Sequence, residues 1–383
     1  MSDFIFETVP KIVCECGGVR RLGELALALG MTRALVVTDR GLIRAGVLGE
    51  ALHALEAAGL QVTVYSEVLP DPPEANVQAA VDAALAARVD GVIGLGGGSS
   101  LDTAKLVALL ARTPQSLASI YGVGLAQGRR WPLIQVPTTA GTGSEATPIS
   151  ILTTPTHEKK GIVSPLLLPD IALLDARLTL GLPPPITAMT GVDAMVHAIE
   201  AYTSRLKKNP PSDALALAAL QLLYANLPRA VACGDDLPAR ENMLIGSHLA
   251  GVAFANAPVA AVHALAYPLG GHYGLPHGLA NSLLLLPVME FNRSHALRPY
   301  AELGRAILGA SFRDDAAAAD ALIAALRERI AAMPYAQRLR DAGVAAADLP
   351  ELARDAMKVQ RLLVNNPREL AYDDALAIYR AAY

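Results

Sequence analysis

Three consecutive prolines, Pro183 to Pro185, mark a change of character in the chain that constrains its fold more than any other feature. Before them, short β-rich runs alternate with Ala- and Leu-rich helical stretches; after them no run carries strand signals. Such alternation is the pattern of parallel strands joined by crossover helices. RALVVT (33–38), QVTVY (61–65), GVIGL (91–95), the run from Leu133 to Val136 and IALLD (171–175) read as strands. Residues 42–59 read as one helix, and 149–164 as an antiparallel excursion around the loop TPTHEKK. Beyond the prolines, helical spacing of apolar residues covers 212–232, 239–254, 316–332 and 372–382. Met243 to Val262 is apolar nearly all round, as a deeply buried helix is. At 383 residues the chain is long for a single core. The expectation is a Rossmann-like α/β domain with a parallel sheet over residues 1–182, then an all-α domain over 183–383.

The second half also gathers the chemistry. Five of the eight histidines lie between Gly191 and Gly278. In GVDAMVHAIEAY, Asp193 and His197 stand four residues apart in an apolar run without a breaker, so both share one helix face. His263 and His277 follow in HALAYPLGGHYGLPHG. On one straight helix they would lie about 21 Å apart, too far to share an ion bound at about 2 Å. The chain must turn between them, and Pro268, Gly270, Gly271, Gly274 and Pro276 are the residues that permit it. A histidine alone on an apolar helix reads as core, and His248 and His295 are left so. An aspartate on the same face needs a partner when buried. One carboxylate with three imidazoles suits a borderline divalent ion, Fe(II) or Zn(II).

The first half carries a phosphate cradle. GVIGLGGGSSLDTAK has the form strand, glycine turn, helix; Gly96, Gly97 and Gly98 let the backbone approach a pyrophosphate, and Ser99 and Ser100 offer hydroxyls and cap a helix beginning near Leu101. Ser99 stands where the dinucleotide fingerprint wants its last glycine. PTTAGTGSE adds Thr138, Thr139 and Thr142, which either satisfy turn backbone or line a nicotinamide and its ribose. Asp39, at a strand end, would accept from an adenosine ribose and repel a 2′-phosphate, favouring NAD over NADP. Lys160 is either solvated or reaches a ribose hydroxyl.

Composition excludes other classes. A net charge of −4 leaves no basic footprint for nucleic acid. MSDFIFETVP lacks the basic and apolar regions of a secretory signal. Mean hydropathy is +0.35, yet no run approaches the roughly 20 apolar residues of a membrane span, and SLLLLPVM is cut by Pro287. Cys14, Cys16 and Cys233 are too few for a disulfide framework and read as reduced thiols. A cytoplasmic protein, without membrane or nucleic-acid partners, is expected.

GGGSSLDTAK, PTTAGTGSE, GVDAMVHAIEAYTS and HALAYPLGGHYGLPHG, in this order and spacing, resemble the iron-containing (group III) alcohol dehydrogenases over nearly the whole chain. The resemblance implies an NAD-dependent oxidoreductase working on a small primary alcohol or its aldehyde, with the metal polarising the oxygen while a hydride passes to or from the nicotinamide. It implies Asp193, His197, His263 and His277 as ligands, Gly97, Gly98 and Ser99 at the pyrophosphate, Thr138, Thr139 and Thr142 toward the nicotinamide, and Asp39 as the selector of cofactor. Phe254 matches a position that often lines the substrate pocket and, with Val259 and Leu265, implies an apolar one; its other reading is core packing. Many members carry a histidine, suspected of relaying protons, where this chain has Tyr267; Tyr267 or His272 is the candidate to replace it. The resemblance also implies a homo-oligomer, a dimer or larger. Maleylacetate-type reductases typically have Asn at the place of Asp193. A dehydroquinate-synthase-like lyase should carry basic residues around the metal, which the stretches 193–200 and 254–277 lack.

Overall fold

The β-rich runs before the prolines assemble into one parallel sheet. A computed structural model of the chain describes residues 3–156 and 158–383. Its strands are β1 (Lys11–Cys14), β2 (Arg33–Val37), β3 (Gln61–Tyr65), β4 (Gly91–Gly96), β5 (Gly122–Val123), β6 (Leu133–Pro137), β7 (Ile149–Thr153), β8 (Lys159–Val163) and β9 (Ile171–Leu174). Six of them form a sheet in the order β1-β9-β6-β4-β2-β3, with every neighbouring pair parallel. The connecting helices are α1 (Leu22–Ala28), α2 (Arg40–Arg44), α3 (Gly49–Ala57), α4 (Glu74–Ala86), α5 (Gly98–Leu110) and α6 (Leu117–Ile120). Along β2, Ala34 and Val36 join a core with Leu22, Leu25 and Leu55, whereas Leu35 and Val37 join another with Val77, Val81 and Leu106. A strand covered on both faces is apolar throughout, which is why a continuous run marked it.

From β2 the chain moves outward to β3, and from β4 it moves the other way, through β6 to β9. The order therefore reverses between β2 and β4, and the crevice beyond their carboxyl ends is where open α/β sheets bind nucleotides. β7 and β8 pair antiparallel as expected; of the loop between them, His157 lies outside the described residues. Residues 42–59 are not one helix. Gly46, at φ 71°, ends the first segment in a left-handed turn, and α3 starts afresh at Gly49. β1 is an additional strand, short and largely exposed at the sheet edge, and its few residues carry no periodicity to read.

The chain divides into two units, Glu7–Gly181 and Leu182–Tyr383, with residues 3–6 belonging to the second. The second contains α7 (Pro184–Thr203), α8 (Pro210–Ala232), α9 (Leu237–Asn256), α10 (Ala261–Tyr273), α11 (His277–Asn292), α12 (Leu297–Leu308), α13 (Asp315–Ala331), α14 (Leu349–Ala356), α15 (Gln360–Leu363) and α16 (Tyr372–Ala382). Pro183 caps α7 and Pro184 and Pro185 open it, in the first turn where a missing N–H costs nothing. The expected single helix from Met243 to Val262 is instead α9 and α10, bent by 104° about Ala257–Ala260. Pro258 lies in the break, and an all-round apolar pattern reports burial without reporting direction. Conversely, α10 runs unbroken through Pro268, Gly270 and Gly271; the turn is confined to Gly274, at φ 63°, Leu275 and Pro276.

α8 is long and apolar, with 23 residues and a mean hydropathy of 1.3 over its most apolar 18-residue window, as a packed core helix can be. Alanine and leucine give it that value, and it packs on α7 and α9, burying Ala216, Ala219, Leu220, Leu223 and Leu227. No disulfide joins Cys14, Cys16 and Cys233, all of which are exposed.

Candidate active site

Three helices of the second unit converge on four donors. α7 presents Asp193 and His197 one turn apart, the first turn of α10 supplies His263, and α11 begins with His277. One ligand atom from each lies within 4.8 Å of all the others. Asp193, His197 and His263 are buried, while the His277 side chain keeps 29% of its surface exposed. Nε2 of His263 and of His277 stand 3.9 and 3.8 Å from Asp193 Oδ1. The His197 and His263 rings stack at 4.7 Å, and those of His263 and His277 meet at 5.3 Å. Phe254 is buried and stacks on His197 at 4.3 Å, so it holds a donor ring in place; Leu265 is wholly buried.

Two residues missing from the sequence reading complete this centre. Asn281, one turn after His277, is fully buried; its Nδ2 donates to Asp193 Oδ1 at 2.6 Å and faces Nε2 of His277 at 3.1 Å and of His263 at 3.2 Å. A primary amide has two hydrogens for these three acceptors, and among the described residues Asn281 Oδ1 has no partner. Glu200, also buried, accepts from the Val262 amide at 2.7 Å and stands 2.6 Å from His263 Nδ1. One carboxylate and three imidazoles converging on a point are a donor set for a cation, and oxygen with imidazole nitrogen fits a divalent transition ion. The i, i+4, i+7 spacing of Asp193, His197 and Glu200 was the available signal for Glu200.

The two proton-relay candidates part company. Tyr267 is half-buried with its ring 6.3 Å from that of His277. His272 belongs to another group: its Nε2 is 2.7 Å from Asp355 Oδ2, with Glu351 beside them on α14. It lies in the last turn of α10, and because that helix does not bend at Gly270 and Gly271 it is directed to α14.

In the first unit, β4, β2 and β6 are neighbours, and their carboxyl ends carry the expected cofactor residues apart from Lys160, which lies on β8. Gly97 caps α5 and Gly98 opens it, so the helix starts before the expected Leu101 and neither serine caps it. Ser99 Oγ instead accepts from the Asp71 amide at 3.2 Å. The glycines permit close packing: a Cβ on Gly96 would lie 2.6 Å from Ser100 Cβ, and one on Gly98 would lie 2.8 Å from Thr142 Cγ2. Thr138 donates its amide to the Gly96 carbonyl, bringing the threonine loop against the glycine turn. Asp39 caps α2, its Oδ1 accepting from Leu42 N at 3.0 Å. Lys160 is half exposed, paired with Glu158 at 3.3 Å and 6.0 Å above the Tyr121 ring. The lysine tied to the turn is Lys159, its side chain 5% exposed and 2.7 Å from Asp71, whose amide meets Ser99.

Asp102 and Lys105 of α5 pin the threonine loop. Asp102 accepts from Ser144 Oγ at 2.5 Å and from Ile151 N at 2.8 Å. Lys105, wholly buried, donates to Ser144 Oγ, Thr147 Oγ1 and the Ile149 carbonyl at 2.8, 3.2 and 2.6 Å. Burial pushes its pKa below the ordinary 10.5, opposed by the Asp102 charge.

A glycine turn opening a helix at the switch point of a parallel sheet, together with a buried Asp-His₃ donor set in a helical unit, defines a metal-dependent, dinucleotide-binding oxidoreductase. The family models of iron-containing alcohol dehydrogenase and of the C-terminal part of that family match residues 10–176 and 187–383. Long-chain-alcohol dehydrogenase 1 of Geobacillus thermodenitrificans (strain NG80-2) is 41% identical over 371 residues, covering 96% of this chain and 93% of that one. The crystal structure of 1,3-propanediol oxidoreductase superposes with a TM-score of 0.96 at 35% identity, covering all of both chains. Sulfoacetaldehyde reductase from Bifidobacterium kashiwanohense, solved in complex with NAD+, is 32% identical, with a TM-score of 0.88 over 100% of this chain and 99% of that one. The chain belongs to the iron-containing alcohol dehydrogenase family: it is an NAD-dependent enzyme interconverting alcohols and aldehydes with the help of a divalent metal.

Proposed function

We propose that this enzyme interconverts small primary alcohols and their aldehydes, with Asp193, His197, His263 and His277 holding Fe(II) or a similar ion. The convergence of these four donors within 4.8 Å carries the reading. A cation held there supplies Lewis acidity to an alcohol or carbonyl oxygen. The protein's residues do the rest. Gly96, Gly97, Gly98 and Ser99 receive the pyrophosphate at the N-terminus of α5, where amide hydrogens and the helix dipole favour it. Thr138, Thr139 and Thr142 orient the nicotinamide side, and Asp39, with one carboxylate oxygen beyond its cap bond, selects NAD by accepting from the ribose. Lys160 has weaker support, since its neighbour Lys159 is the one linked to the turn. Tyr267, beside the half-exposed His277, passes the proton through its hydroxyl. Phe254 packs the donor site and gives it an apolar wall, which suits uncharged substrates. Membership of this family supports a cytoplasmic homo-oligomer, dimer or larger.

The test measures the metal content of the purified protein, then NADH oxidation with a panel of short aldehydes after chelation and after refilling with Fe(II) or Zn(II). Activity lost with the metal and regained with one ion is expected, with short uncharged aldehydes preferred. Metal-independent reduction of a carbonyl acid would overturn the ligand assignment and point to a maleylacetate-type reductase.

A further inference from the structure

Glu200 lies on the same face of α7 as Asp193 and His197, yet it is not among the four converging donors. It is 4% exposed, and both its oxygens are directed at α10. One oxygen takes the Val262 amide, an N–H of the first turn that has no partner within the helix. The other stands 2.6 Å from Nδ1 of His263, the next residue. A carboxylate only accepts, so Nδ1 carries the proton and Nε2 carries the lone pair. That Nε2 is the atom turned toward Asp193 Oδ1 and faced by the Asn281 amide. A negative side chain against the first turn of α10 is also favoured by the helix dipole.

We propose that Glu200 is the positioning residue of the metal centre, fixing the tautomer and ring orientation of His263 so that its Nε2 lone pair is committed to the ion. This rests on the four-ligand reading above. One carboxylate thereby ties α7, which carries two donors, to the helix that carries the third. A hydrogen-bonded carboxylate behind a ligating imidazole raises its basicity, and losing such a partner typically weakens metal binding by about 10–100-fold. In Glu200→Gln one acceptor oxygen must serve two donors, and the amide NH₂ faces the other. His263 is then free to rotate or to take the wrong tautomer.

The experiment uses the full chain stripped of metal and titrated with Zn(II) against a chromophoric chelator. Glu200→Gln is expected to bind about 10–100-fold more weakly than wild type, with Glu200→Asp between them and activity restored in both at saturating metal. A residue that merely packed would change thermal stability and leave the affinity alone; unchanged affinity in Glu200→Gln overturns the proposal. Asp193→Ala and His263→Ala separate the two readings. If they lose the metal while Glu200→Gln keeps it, only the role of Glu200 fails; if they bind as wild type does, the ligand assignment itself is wrong. Should the Glu200 variants not fold, imidazole ¹⁵N NMR of metal-free wild type decides, with the His263 signals assigned through His263→Gln. An Nδ1–H tautomer is expected, and an Nε2–H tautomer overturns the proposal.

Discussion

Gly278 sets how closely His277 can approach Asp193. It follows His277 in the first turn of α11, and a Cβ there would lie 2.5 Å from the Met189 carbonyl oxygen and 2.8 Å from its carbon. Met189 precedes Asp193 by one turn of α7, and backbone atoms cannot rotate away as a side-chain tip can. Gly278→Ala must therefore push α11 off α7 and take His277 with it. A stability loss of about 1–3 kcal/mol is expected in denaturant unfolding, together with weaker Zn(II) binding in competition with a chelator; unchanged affinity would mean that the helices accommodate the methyl. Asp39 is decided by a different measurement. Glycine is nearly as good an N-cap as aspartate, differing by only a few tenths of a kcal/mol, so Asp39→Gly should fold normally while its kcat/KM ratio for NADH over NADPH falls. An unaltered ratio removes Asp39 from ribose recognition. The convergence of Asp193, His197, His263 and His277 was legible because their types and spacings are unusual within apolar helices. The spacing of Glu200 put it on the face of Asp193 and His197 without naming its partner on α10, and Asn281 gave no signal, because a single polar residue on a helix reads as solvated until the packing is known.

At the scale of elements, the sequence carried burial well and direction poorly. Short β-rich runs located five strands of the sheet, while the break at Pro258 and the unbroken course of α10 through Pro268 both escaped the sequence pattern. A proline weakens a helix locally, and tertiary packing decides whether it breaks or merely loses a hydrogen bond. The same holds for α5, whose GGGSSLDTAK motif announced a phosphate turn while its Asp102 and Lys105 face the loop after β6. Lys105→Met preserves the length of the side chain and deletes its two hydrogen bonds to that loop and a third to the start of β7. Buried partners left unpaired cost about 1–3 kcal/mol, and a loosened threonine loop should raise KM for NADH more than it lowers kcat. The pH dependence has a definite sign. Burial lowers the folded-state pKa of Lys105 below 10.5, so between the two values the unfolded chain binds more protons. The contribution of Lys105 is present above 10.5 and lost as pH falls through the folded value, so the stability gap between wild type and Lys105→Met should widen with rising pH. A gap independent of pH would show that Lys105 titrates alike in both states.

For the whole molecule, the separation of the donors along the chain has a thermodynamic consequence. Asp193 and His197 share α7, but His263 and His277 lie beyond α8 and α9 in the chain, past the bend at Ala257–Ala260 and the turn at Gly274–Pro276. The unfolded chain has no such convergence, so an ion that binds all four donors binds the folded state and not the unfolded one. Stability then rises with free metal as RT ln(1 + [L]/Kd), about 2.7 kcal/mol when the ion is at a hundred times its Kd. Chemical denaturation of the metal-free protein in buffers of rising free Zn(II) should follow that logarithm, and adding chelator should reverse it. Asp193→Ala removes a donor from the middle of the cluster, so its midpoint should stay flat across the same range of Zn(II). Glu200→Gln should follow the wild-type curve displaced to higher free metal by the ratio of the two Kd values, since it lacks no donor. If the midpoint of wild type does not move with Zn(II), the four side chains do not act as one site.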